Sequence, residues 1–257
     1  MKPKLVVLVV VLLLLAMVPA LAMAQNRAKP EKVISFTIDR RQPVGPQVQA
    51  ALGAPIGAPK ADAPAAAPRA NAPAALGIQP NAVYGLLKEG FEGPWPDGNW
   101  IVWDFSGIDV CWGTTNYMQR YGLYSAWPAA GCYWGYDPGY FPYYVDNMDT
   151  WMDYPMDLQG ARRARLQFHW KNDSEYGYDY FLMCASHEGY YFYCDAHTGS
   201  TNNKWRFTKI DLKNFQGQNF LDDPGFVFSW GFYSDYIVSY GYEGAYVDAI
   251  RLRAWGP

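Results

Sequence analysis

Arg163-Ala-Arg-Leu-Gln-Phe-His-Trp-Lys171, then Asn172-Asp-Ser-Glu-Tyr-Gly177, then Tyr178-Asp-Tyr-Phe-Leu-Met-Cys184 and, after a short turn, Tyr190-Tyr-Phe-Tyr-Cys194 form the stretch that decides the fold. Ala164, Leu166, Phe168 and Trp170 fall on one face of the first run. Arg163, Arg165, Gln167, His169 and Lys171 fall on the other. Alternation with period two marks a half-buried β-strand. The polar, Gly-containing segment that follows reads as a turn, and the aromatic run after it as the next strand.

Outward from this hairpin the strand signal repeats. Lys88–Glu92, Trp100–Phe105, Trp205–Leu212, Phe226–Phe232 and Ala245–Arg253 each read as strands, and 112–144 as short strands joined by Gly/Pro/aromatic loops. No stretch has a convincing helical period. Many short strands separated by turn signals predict an all-β fold, a jelly-roll β-sandwich. The folded domain is expected over 84–257, with about 170 residues from its first strand to its last, enough for one core.

The rest of the chain of 257 residues reads differently. Residues 1–24 carry two lysines, an apolar run from Leu5 to Ala22, and a small-x-small site at Ala22-Met23-Ala24. That pattern is a secretory signal peptide. The alternative is an uncleaved anchor, because the apolar run approaches the roughly 20 residues that span a bilayer. Residues 25–83 are expected to form a disordered Ala/Pro-rich segment and linker, since 43–80 has too little large apolar surface to offset its ordering entropy. Within it, Ile34, Phe36 and Ile38 alternate with Ser35 and Thr37 and could make one short strand.

Net charge is −3 with no basic cluster, which argues against nucleic acid and anionic membranes as partners. Four cysteines in a secreted chain read as disulfides. Three pairings are possible in principle. Cys184 and Cys194 are symmetric about Gly189, so a tight hairpin sets them opposite each other, leaving Cys111 with Cys132. Zinc is excluded by spacing, because no Cys-x-x-Cys occurs and the chain has 3 histidines.

Candidate chemistry is sparse. In the last strand Tyr246, Asp248, Ile250 and Leu252 alternate in phase, so Asp248 is expected to point with the apolar set. A buried carboxylate needs a partner. Glu92 and Asp179 are its candidate company, and three acidic side chains suit Ca²⁺. The competing reading is that Asp248 caps a loop or pairs with an arginine. The chain holds 11 Trp, 21 Tyr and 13 Phe. Trp127, Trp134, Tyr136 and Tyr140 lie in a Gly/Pro-rich loop where rings could stack on sugars, or else plug one end of the sandwich. No His-Glu-x-x-His and no Gly-x-Ser-x-Gly occurs, so no hydrolase motif is present. Asn172-Asp173-Ser174 matches a glycosylation sequon.

Several motifs occur in a telling order: Phe91-Glu-Gly-Pro94, Asn147-Met-Asp-Thr-Trp-Met152, Leu166-Gln-Phe-His-Trp170, Glu175-Tyr-Gly-Tyr-Asp-Tyr180, Ile210-Asp-Leu212, Ser234-Asp235 and Glu243-Gly-Ala-Tyr-Val-Asp-Ala-Ile250. Together they resemble the non-catalytic jelly-roll modules attached to immune-inhibitor-A-type secreted metallopeptidases, and MAM domains look similar at both ends. The resemblance implies a β-sandwich, a cation at Glu92 and Asp248, and binding of a glycan or a cell-surface protein rather than catalysis; the alternative is a structural or interaction protein of the cell envelope without a small ligand. Ala249 departs from that pattern, which often has an acid or Asn after the terminal Asp.

Overall fold

The computed structural model describes residues 32–42, 44–52 and 83–256. The expected signal peptide and residues 53–82 of the linker lie outside the described residues. Twelve strands and one helix follow in order: β1 (Lys32–Asp39), α1 (Val44–Leu52), β2 (Val83–Glu89), β3 (Ile101–Asp104), β4 (Cys111–Thr115), β5 (Ser125–Gly131), β6 (Asp149–Pro155), β7 (Arg163–Asp173), β8 (Tyr180–Ser186), β9 (Tyr191–Thr198), β10 (Arg206–Asp211), β11 (Val227–Tyr233) and β12 (Gly244–Trp255).

They build two antiparallel sheets. One runs β1-β9-β8-β11-β6-β3; the other runs β10-β7-β12-β5-β4, with β2 also on β12. This is the expected jelly-roll sandwich. The core lies between the sheets and is dominated by rings: Trp230 packs on Phe168, Phe228 and Trp100, and Phe181 on Trp170 and Trp112. The alternation in β7 holds, with Ala164, Leu166, Phe168 and Trp170 buried.

Both cysteine pairs form as expected. Cys184 and Cys194 are directly opposed in the β8–β9 ladder, with Cα atoms 4.1 Å apart. Cys111 joins Cys132, with Cα atoms 5.4 Å apart.

Three expectations are corrected. First, β1 and α1 are ordered structure, not tether: the short strand at Ile34, Phe36 and Ile38 forms, and the helix after it was not expected. β1 extends the first sheet by pairing with β9 from Lys32↔Thr198 to Asp39↔Tyr191. The reason lies in β8 and β11, which are buried on both faces. Phe181, Met183, Phe228 and Trp230 face the other sheet, while Tyr180, Leu182, Cys184, Val227 and Tyr233 form a second apolar cluster on the outer side. That outer face needs a cover, and Ile38, Val44 and Val48 supply it.

Arg40 locks the cover down. Its guanidinium lies 4.2 Å from the centroid of the Trp151 ring and 3.9 Å from that of Phe192. It donates to Asp153 Oδ2 at 2.7 Å and to Ser229 Oγ at 2.6 Å. Gly231 makes room for the Trp151 ring, because a Cβ there would lie 2.6 Å from it.

Second, β6 is a buried strand missed in the strand reading, since Asp149 and Asp153 look wrong for a sheet interior. Each is satisfied in place. Asp149 accepts from Trp151 Nε1 at 2.7 Å, and Asp153 takes Arg40 and Trp103 Nε1.

Third, Asp248 does not point with Ile250 and Leu252. The β12–β7 register slips between Asp248↔His169 and Arg251↔Gln167, a bulge at which Ala249 has φ 53°. Directly opposed residues share a face. Asp248 therefore lies on the His169 face, away from the inter-sheet core, while Leu252 opposes Leu166 and faces it.

Breaking a buried ion pair from one side strands the other charge, at a cost of about 3–5 kcal/mol. Arg40→Ala is expected to lower the urea midpoint accordingly. Arg41→Ala, on an exposed pair with Asp39, is expected to leave the midpoint in place.

Candidate functional site

The β5–β6 connection displays a cluster of rings. Several restraints hold its start: the Cys111–Cys132 bridge, the Trp134 N–H donating to Asp109 O at 3.0 Å, and the Tyr136 N–H donating to Ala129 O at 2.7 Å. Asp137 O then accepts from the N–H groups of Tyr140 and Phe141, which closes a turn. On this frame Tyr133 is 78% exposed, Trp134 62% and Tyr140 92%. Tyr133 and Trp134 meet edge to face at 4.8 Å. A chain of contacts runs from Tyr136 through Phe141 and Tyr143 to Tyr240. Large rings held open to water on a restrained loop mark an interaction surface.

The expected stacking set is therefore split. Trp134, Tyr136 and Tyr140 are exposed as a group. Trp127 is not: it is 0% exposed, donates from Nε1 to Glu243 O at 2.6 Å, and stacks on Tyr246. It sits inside β5, where the sheet and its covering loop close over it, so it cannot meet a ligand. Tyr133 of the same loop belongs to the surface too, and so does Tyr240 of the β11–β12 connection, which was missed. The glycine that follows Tyr240 was the available signal.

Glu92 and Asp248 do come together, beside a cavity of about 460 Å³ that Glu89, Trp95, Tyr121 and Arg251 also line. What they share is a loop. Asp248 Oδ2 accepts from the backbone N–H groups of Arg120 and Tyr121 at 2.7 and 2.8 Å, and Oδ1 from that of Ala249 at 2.5 Å. Glu92 Oε1 accepts from the N–H groups of Leu123 and Tyr124 at 2.8 and 3.0 Å. Gly122, at φ +71°, lets the loop close on Glu92; a Cβ there would fall 2.2 Å from Oε1. Burial pushes the Asp248 carboxyl up, the three N–H donors hold it down, and Glu92 adds to the rise.

Backbone N–H groups turned inward form an anion nest. These donors take both Asp248 oxygens and Glu92 Oε1. The pair fits loop anchoring, and the calcium set of Glu92, Asp248 and Asp179 is not assembled.

Asp179 lies elsewhere, with Glu175 and Asp235. One carboxylate oxygen from each lies within 4.8 Å of the others. Asp179 Oδ2 accepts from the Tyr144 hydroxyl, and Oδ1 from the Asp235 N–H at 2.8 Å. Burial, then Asp235 and Asp146, push Glu175 up to about 7. Burial also lifts Asp179 well above the usual carboxylate range.

The three histidines are dispersed. His169 packs against Tyr121 and Phe207. His187 pairs with Asp223 at 2.6 Å and stacks on Phe220. His197 lies on Trp170.

No protein-family model matches the chain, and neither does any curated protein. Solved structures do. The K3 cleaved adhesin domain of Lys-gingipain from Porphyromonas gingivalis W83 is 14% identical, covers 66% of this chain and 98% of its own, and superposes with a TM-score of 0.47. The CBM22-1 xylan-binding domain of Paenibacillus barcinonensis Xyn10C is 10% identical, covers 70% and 98%, and has a TM-score of 0.41. The family 11 carbohydrate-binding module from Clostridium thermocellum, solved with a β-1,3-1,4-mixed-linked tetrasaccharide, is 14% identical, covers 64% and 92%, and has a TM-score of 0.37. Likenesses at this level share a sandwich outline and carry no argument about ligand.

Removing the Asp248 carboxylate orphans three backbone donors at a buried position. Asp248→Ala is expected to cost on the order of 3 kcal/mol. Amide hydrogen exchange should speed up first at Arg120, Tyr121 and Ala249.

Proposed function

We propose that this protein is a secreted, non-catalytic binding module that takes a glycan on the β5–β6 aromatic loop. One observation carries the reading: Trp134, Tyr133 and Tyr140 are strongly exposed on a loop braced by a disulfide and backbone hydrogen bonds. Flat ring faces match the C–H faces of a sugar. Restraint before binding removes much of the ordering cost that a mobile loop would add. Two disulfides fit an oxidising compartment, in keeping with the expected signal peptide.

The motif order read from the sequence also supports placing the domain with the jelly-roll modules of immune-inhibitor-A-type peptidases. In the structure those motifs fall on β6, β7, β10 and β12, in the turn that leads into β8, and in the loops after β2 and β11. A cell-surface protein is the other partner the loop could take, through the same rings.

The test is a polysaccharide and cell-wall array probed with the oxidised full-length protein. Selective binding is expected, weakened at least about tenfold by Trp134→Ala or Tyr140→Ala with no shift in unfolding midpoint. Trp127→Ala should instead cost about 3–5 kcal/mol of stability, as deletion of a buried indole does. Silence across the array with the protein folded would overturn the glycan reading and leave a protein partner as the occupant to be sought.

A further inference from the structure

The acidic cluster lies where three chain segments meet. Glu175 is in the turn after β7, Asp179 stands immediately before β8, and Asp235 follows β11. Their exposures are 6%, 0% and 4%. Buried carboxylates so close together repel one another unless protonated or joined by a positive charge.

The surroundings supply only part of what these groups need. Asp179 takes the Tyr144 hydroxyl and the Asp235 N–H. Asp235 Oδ1 takes the Ile237 N–H at 3.0 Å. Glu175 fares differently: its Oε2 is buried and has no hydrogen-bond partner. The neighbouring charges that act on Glu175 are Asp235 and Asp146, both negative. A buried carboxylate oxygen left without a partner, in a residue set beside two further carboxylates, calls for a positive charge.

We propose that Glu175, Asp179 and Asp235 hold a calcium ion. The donors are oxygens, with no Cys or His in the group, which selects hard cations over zinc or copper. Burial selects among the hard ones: calcium accepts cages of protein oxygens, whereas magnesium sheds its waters reluctantly. The three residues are all buried, and one oxygen of each lies within 4.8 Å of the others.

The ion would clamp the turn at 175–179 to the end of β11. Through the Asn147 N–H donating to Asp235 O at 2.5 Å, it would also hold the 144–147 segment. That segment continues from Tyr143, whose ring rests on Tyr240 at the edge of the aromatic surface. This site is separate from Glu92 and Asp248, which anchor the 120–124 loop.

The test uses the full chain, stripped with chelator and titrated with calcium chloride by calorimetry. One ion per chain is expected, with a rise of several degrees in the thermal midpoint and a smaller rise with magnesium at equal concentration. Glu175→Gln should abolish uptake, and Glu92→Gln should leave it intact. Folded, stripped protein that takes up no calcium at millimolar concentration would overturn the proposal. So would uptake that survives Glu175→Gln but is lost in Glu92→Gln. Should Glu175→Gln fail to fold, amide exchange in the wild type decides: calcium must slow exchange at Asn147 and Asp235, and unchanged rates there would overturn the site.

Discussion

β12 must serve two partners along one edge, and much of the second sheet depends on how it does so. Val247 pairs with Ala126 of β5, and from Ile250 onward the same edge pairs with β2. A regular strand would keep one neighbour and one phase throughout. The bulge at Ala249 breaks both. It inserts one residue, turns Asp248 onto the outer face, and leaves a gap between β5 and β2 that the 120–124 loop closes. The Asp248 carboxylate gathers that loop by its backbone. A bulge, a buried acid and a loop crossing are thus one local solution to a strand changing partners.

How much of this was legible depended on whether a signal survived such irregularities. Period two in β7 located a strand correctly, because β7 is regular and half-buried. The same rule applied through 246–252 put Asp248 on the wrong face, because an inserted residue leaves no mark in a pattern of alternation. The acid pairing was half right for a related reason. Glu92 and Asp248 meet through the β2–β12 ladder, which sets the strand before Glu92 beside the last strand. Asp179 immediately precedes β8 of the opposite sheet, and proximity across sheets has no sequence period to read.

The N-terminal segment shows a signal that was present and unused. β8 and β11 are apolar on both faces, which a two-layer sandwich with one wet surface cannot accommodate. A third layer was required, and Val44 and Val48, four apart, mark one turn-spaced face of the helix that provides it. The Ala/Pro composition that follows masked this short amphipathic piece. The aromatic loop posed the reverse difficulty. Composition cannot separate a ring that plugs a core from one that is displayed, and Trp127 and Trp134 lie only a short loop apart. What separates them is the end of β5: Trp127 is inside the ladder, and Trp134 is past the Cys132 bridge.

β1 has a consequence beyond covering apolar surface. Without it, β9 would end its sheet with a row of unpaired N–H and C=O groups beside an exposed tyrosine-rich face, a template for another strand. β1 takes that edge and presents its own, with Lys32, Val33, Ser35 and Thr37 exposed. The segment thus moves the open edge of the sheet from β9 to β1. β1 and β2 stand far apart in sequence yet frame different sheets of one sandwich. A protein begun at β2 would therefore keep its inter-sheet core but bare the β9 edge and the apolar outer face of β8 and β11.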